Sequence, residues 1–266
     1  MAKPAGITSH DLVAQVRRGL PRTKVGHAGT LDPFATGLML VLVGQGTRLQ
    51  RYLVGLPKAY RVRAGFGVTS TTGDPTGELS VTGARTDEDA IRQALEPLTG
   101  EIRQRVPAYS AVKVEGVRLY KRARAGEEVE LPERTLRIDR LDLIGFDEAS
   151  QEAELEVECS SGTYVRRLVA DLGELCGAGA HCTALERTRV GPFELADADP
   201  GRTVSLSDSL PFLPERPLSP DEAAAVRHGR SIPGEAVGPV RLTLDGELVA
   251  VAVQREGLLH PETVVA

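Results

Sequence analysis

Tryptophan is absent from the 266 residues, and all aromatics together make up only 4%. The core of any fold must therefore be built from Leu, Val, Ile and Ala. No apolar run approaches the ~18 residues that a membrane-spanning helix needs, and no signal peptide opens the chain. The three cysteines, Cys159, Cys176 and Cys182, are too few and too irregularly spaced for a disulfide framework or a zinc site. They read as reduced thiols of a cytoplasmic protein. Nothing in the sequence has His-x-x-x-His spacing, a nucleophile elbow, or the glycine fingerprint of a phosphate or dinucleotide loop. What remains is 41% hydrophobic and 26% charged residues, ordinary for a globular protein of one large domain or a domain plus a small module.

The net charge of −5 is unevenly spread. Residues 103–124 hold seven basic residues against one acid, Glu115, so this segment is +6 and the rest sums to −11. Such a concentration is either a solvated basic face or an electrostatic footprint for a polyanion. Thr8 and Asp11 have capping-box spacing ahead of a helical pattern through Leu12, Val13, Val16 and Leu20. A second helix is expected over Thr86–Leu98. Strands are expected over 38–43, 59–68, 136–146 and 152–159. The stretch 69–78 reads as loop throughout. In "SSGTYVRRLVADLGELCG" the apolar residues share one helical face, with Arg166 and Arg167 off it in the first turn. Cations there oppose the helix dipole, so each needs an anionic partner. The Pro-, Ser- and Asp-rich stretch from near residue 196 reads as a linker or irregular connection, and after it Ser219–Glu222 begins a short helix. Asp245-Gly246 signals a hairpin within 239–253.

The stretch "GHAGTLDPFATGLM" places one acid, Asp32, and one histidine, His27, among small and apolar residues. Asp-Pro suggests a helix start with Asp32 at the N-cap. An acid held on a glycine-rich loop can also serve as nucleophile or general base. Taken alone, these residues describe an α/β protein compatible with an enzyme on RNA, without naming the reaction.

Five ordered segments resemble the TruB family of bacterial tRNA pseudouridine synthases: "KPAGITSHDLV" (3–13), "GHAGTLDPFATGLM" (26–39), "KAYRV" (58–62), the basic block 106–130, and "CSSGTYVRRLVADLGELCGAGAHCTALERTRVGPF" (159–193). The resemblance implies an α+β fold: a mixed, largely antiparallel sheet flanked by helices over residues 1–205, and a small β-rich PUA-like module over 206–266. It implies isomerisation of uridine to pseudouridine at position 55 in the tRNA T-loop, by a monomer needing no metal or organic cofactor. In it Asp32 is the nucleophile on a flipped-out uridine, Arg166 its ionic partner and Tyr60 the ring against the base. Tyr164 and Leu185 line the uracil pocket, and His27 enters the space the nucleotide leaves. Lys3 belongs to the N-terminal motif, and Arg187 and Arg189, with the basic block, track the RNA backbone. The family has a strand ahead of Lys-Pro, where here only Met1 and Ala2 stand. Residues 193–266 carry six Arg and twelve acids, so the module's own RNA contact and a packing role weigh about equally. Rival functions are a chaperone that folds tRNA by binding its elbow, a guide-RNA-dependent synthase, and a hydrolase using Asp32 with His27.

Overall fold

The computed structural model describes residues 1–107, 113–114, 117–118 and 131–265. Most of the basic block lies outside them. The fold is mixed α+β. In chain order the strands are β1 (Ala2–Lys3), β2 (Val25–His27), β3 (Thr36–Leu38), β4 (Val41–Val43), β5 (Lys58–Phe66), β6 (Val68–Ser70), β7 (Leu79–Val81), β8 (Gly100–Arg105), β9 (Lys113–Val114), β10 (Val117–Arg118), β11 (Glu133–Asp147), β12 (Glu152–Cys159), β13 (Ala180–Val190), β14 (Phe193–Glu194), β15 (Glu215–Pro217), β16 (Ile232–Pro233), β17 (Val240–Leu244), β18 (Glu247–Arg255) and β19 (Leu258–Val264). The described helices are α1 (Ser9–Gly19), α2 (Gln50–Val54), α3 (Glu88–Leu95), α4 (Val165–Leu175) and α5 (Pro220–Arg227).

An eight-stranded sheet runs β1-β3-β13-β5-β12-β11-β8, with β14 added to β13. Every pairing in it is antiparallel except β3 with β13. Ala2 and Lys3 form a two-residue strand, β1, on β3. On β12 the inward set is Ala153, Leu155, Val157 and Cys159, the period-2 alternation of a half-buried strand. These residues form one core with Val62, Ala64 and Phe66 of β5, Ile91 and Leu95 of α3, and Leu168, Val169 and Leu172 of α4.

Both helices with capping boxes form as their sequences dictate. The Thr8 hydroxyl accepts from Asp11 N while Asp11 accepts from Thr8 N, and Ser219 and Glu222 repeat the arrangement on α5. Asp87, rather than Thr86, caps α3. The expected hairpin at Asp245-Gly246 is present, both residues at positive φ, joining β17 to β18. These strands belong to a second sheet of five strands, β15-β17-β18-β19-β16. A separate core joins the two regions: Ala28, Leu42, Leu49 and Leu53 pack with Leu210, Leu248, Val251 and Val265.

Three expectations of the fold fail. The stretch 38–43 is not one strand: β3 ends at Leu38 in the large sheet, and β4 begins at Val41 in a pair with β2. Residues 180–190 form the longest internal neighbour of β5, although no strand is expected there. Asp32 does not cap a helix. Ala35 N donates to Asp32 O to close a turn, and the chain enters β3, where Gly37 at φ +107° cannot continue a helix.

Candidate active site

Asp32 sits at the tip of the loop from β2 to β3. Its neighbours Leu31 and Ala35 are buried in the same core as Tyr60, Val165 and Leu185. The loop is held almost wholly through its backbone. Ser9 Oγ donates to Leu31 O at 3.0 Å and accepts from Leu31 N at 2.9 Å. Gly6 N donates to Pro33 O. The Lys3 ammonium is buried and donates to the carbonyls of Pro4, Ile7 and Pro33. This explains why the first motif accompanies the second: its role is to fix the acid-bearing loop in one place. Burial lowers the Lys3 pKa, and the nearby Asp32 carboxylate opposes that shift.

Arg166 reaches the same point from the first turn of α4. Its Nε donates to Asp32 Oδ2 at 2.8 Å and its Nη2 to Asp32 Oδ1 at 3.3 Å, a two-pronged pair. The Arg166 side chain is 4% exposed and that of Asp32 34%, so the cation is enclosed while the acid faces an opening. α4 lacks a side-chain cap from its own N-cap, Tyr164. Instead Tyr164 N donates to Oε1 of buried Gln104 on β8 at 2.8 Å, and Gln104 Nε2 donates back to Tyr164 O.

Asp74 is the residue that sequence reasoning misses. It lies in the stretch read only as loop, yet its side chain is 6% exposed and its Oδ2 is 3.0 Å from Arg166 Nη1. Asp74 Oδ1 accepts from Thr72 Oγ1, Thr76 N and Thr76 Oγ1, so its orientation is over-determined. Gly73 O accepts from Cys182 N, tying the loop to β13. One guanidinium thus bridges two carboxylates, one half-buried and one buried. An acid flanked by threonines in a Gly- and Thr-rich turn is the only local hint of this.

Burial is the main influence on Asp32 and raises its pKa; the Arg166 cation pulls the other way, and Asp74 adds to the rise. Tyr60 lies on β5 opposite Val157 and Arg187. Burial pushes its phenol up to about 12, against a smaller opposing pull from Arg187, so the ring is neutral. His27 stands at the end of β2, its ring edge-on to His10 with centroids 5.9 Å apart. Its Nδ1 is buried with no hydrogen-bond partner among the described residues. Burial lowers its pKa, helped by His10 and Arg187.

Arg187 needs correction. A cation that tracks RNA must be accessible, but Arg187 is 1% exposed. Its Nε donates to Leu38 O at 2.8 Å, and its other nitrogens donate to Thr30 O and Gly29 O. It braces the Asp32 loop from beneath. Arg189 pairs with Glu158 and, at 3.7 Å, with Glu194.

A family model described as the N-terminal domain of TruB family pseudouridylate synthase matches residues 17–165. The chain belongs to the TruB family. A second model, the tRNA pseudouridylate synthase B C-terminal domain, matches residues 166–210. Relatives named tRNA pseudouridine synthase B include one from Corynebacterium aurimucosum, 46% identical over 84% of this chain and 74% of that protein. Another, from Thermobifida fusca, is 44% identical over 99% of this chain and 96% of its own length. Among solved structures, a chain of a Cbf5-Nop10-Gar1 complex superposes on the whole chain with TM-score 0.75 at 25% identity, covering 83% of its own length. This TruB-family chain therefore resembles in sequence proteins named tRNA pseudouridine synthase B, and in fold the chain of the Cbf5-Nop10-Gar1 complex.

Proposed function

We propose that the protein isomerises uridine to pseudouridine at position 55 in the T-loop of tRNA, as a cytoplasmic monomer. In this reading residues 1–205 carry the chemistry and 206–266 form the PUA-like module. The observation that carries it is the forked pair between enclosed Arg166 and half-buried Asp32, whose loop neighbours Leu31 and Ala35 share one core with Tyr60 and Leu185. A nucleophilic carboxylate must be ionised, and burial works against that. The enclosed Arg166 cation supports the ionised form, and its own link to Asp74 keeps it aimed. The target uridine leaves the loop stack and lies against Tyr60, at a cost of a few kcal/mol in lost stacking. His27, at the rim, takes up the vacated space. Asp32 attacks the sugar C1′ or the base. The bond from C1′ to N1 breaks, the uracil turns while bound, and C1′ joins C5 while the bond to Asp32 breaks and returns its electron pair to the carboxylate. The proton on C5 leaves and N1 gains one, so the product is an isomer of the substrate. With its pKa near 12, Tyr60 acts as a neutral ring and donor and not as a phenolate base in the free enzyme.

The test is to incubate the purified chain with an unmodified tRNA transcript and map pseudouridine base by base. Product at position 55 from bare tRNA is expected. Asp32→Asn should bind tRNA with little change and form no product. A variant that still converts the transcript at the normal rate would refute Asp32 as nucleophile.

A further inference from the structure

β2 and β4 form a two-stranded ribbon outside the large sheet. Such a ribbon is marginal alone, so its geometry depends on what packs against it. His27 ends this ribbon. The Gln50 side chain at the start of α2 donates through Nε2 to His27 O at 2.8 Å. The next residue, Ala28, is fully buried in the core that joins α2 to the C-terminal module. α2 and the turn before it are in turn fastened to the last strand. The Tyr52 hydroxyl meets Thr263 Oγ1 at 3.0 Å, Arg51 pairs with Glu262 at 3.2 Å, and Arg48 donates to Val264 O. Leu49 and Leu53 on one side, and Leu248, Val251 and Val265 on the other, are buried together beneath these bonds. The module's charges do not suggest a surface for reading RNA. Residues 206–266 are −4 net, and Arg216, Arg241 and Arg255 are engaged by Glu222, Glu215 and Glu262.

We propose that the C-terminal module works in the reaction as a brace: β19 fixes α2, and Gln50 on α2 fixes His27 relative to Asp32. Gln50, Tyr52 and Thr263 are positioning residues. The inference rests on the reading in which His27 stands against the substrate. Small misplacements at a reacting centre are costly in rate even when binding is intact, so the brace should act on turnover.

The experiment uses the full chain and an unmodified tRNA transcript. Three variants are compared: Gln50→Ala, the pair Tyr52→Phe with Thr263→Val, and the pair Arg227→Ala with Arg230→Ala. Readouts are kcat, KM, tRNA affinity and the His27 imidazole resonance by NMR. Gln50→Ala should shift the His27 resonance and lower kcat on the order of tenfold, with affinity nearly unchanged. The Tyr52/Thr263 pair should move both in the same direction by less. The Arg227/Arg230 pair should move neither. An unmoved resonance in Gln50→Ala overturns the brace, and so does a moved resonance with unchanged kcat. A raised KM in the Arg227/Arg230 pair with silent interface variants overturns it too, since the module then acts on RNA. Absence of pseudouridine with the unaltered chain would defeat the functional reading instead, and the resonance alone would then decide whether Gln50 positions His27.

Discussion

The acid at position 32 combines two demands that pull against each other. In the proposed reaction it must be ionised to attack, and it must meet an unstacked base where water is scarce. Its pKa is raised, chiefly by burial. The sign has a consequence for stability. A carboxyl whose pKa is higher folded than unfolded contributes stability fully below the unfolded value, about 3.9, and loses it as pH rises through the folded value. At neutral pH the ionised Asp32 therefore opposes folding. Asp32→Asn should melt at a higher temperature than the unaltered chain at pH 7, and the gap should close below about pH 4. Calorimetry across that range checks it; a variant that melts lower at pH 7 contradicts the argument. The same group sets an acid limit on kcat/KM, which should fall as pH drops through a value above that of an ordinary aspartate. Asn at 32 leaves Arg166 with Asp74 as its ionic partner, so the guanidinium is not abandoned.

At the level of elements, the site is where three segments converge: the β2–β3 loop, the loop between β6 and β7, and the start of α4. The second of these holds Asp74. Replacing it by Asn keeps the shape and removes one charge-assisted bond, worth about 1.5–3 kcal/mol. Asp74→Asn should slow turnover by about 10- to 100-fold with tRNA affinity retained, measured under single-turnover conditions. The first loop depends on Gly37. A Cβ there would lie 2.3 Å from the Arg187 carbonyl oxygen, and φ is +107°. Gly37→Ala should cost more than about 2 kcal/mol of stability and lower the denaturant midpoint, because backbone and not a flexible side chain blocks the methyl. Elements written in local code were legible in the sequence: the Thr8 capping box, the helix start at Ser219, the Asp-Gly hairpin, the alternating β12, the apolar stripe of α4. β13 was not. Its register shifts at Cys182/Ala184 and again at Arg187/Arg189. Each shift resets the side-chain alternation that marks a strand, and residues of both faces are buried, including the polar Arg187 and His181, so no apolar alternation shows. Asp32 and Arg166 could be singled out from where they stand, and the family resemblance joined them. Asp74 and Arg187 could not be placed, since what each does is set by distant partners: the guanidinium of Arg166 and the carbonyls of the Asp32 loop.

Across the whole molecule, the C-terminal module was legible as a β-rich unit, but its attachment was not. The Pro- and Ser-rich stretch that reads as a linker carries Leu206, Leu210, Phe212 and Leu213 into the core between the two sheets. Leu210 is fully buried there, between Leu49 and Leu53 of the catalytic part and Leu248 and Val251 of the module. A linker between independent domains would leave two unfolding transitions; a connector that forms their common core ties them into one. Leu210→Ala removes buried methyl groups from that core and should cost about 2–5 kcal/mol. Denaturation followed by circular dichroism should show a single transition moved to lower denaturant. Amide exchange should accelerate in both 25–54 and 248–265, because each region has lost the same neighbour. Two separate transitions, with the mutation moving only one, would mean that the shared core does not couple the halves. His27 would then have to be held by the catalytic part alone.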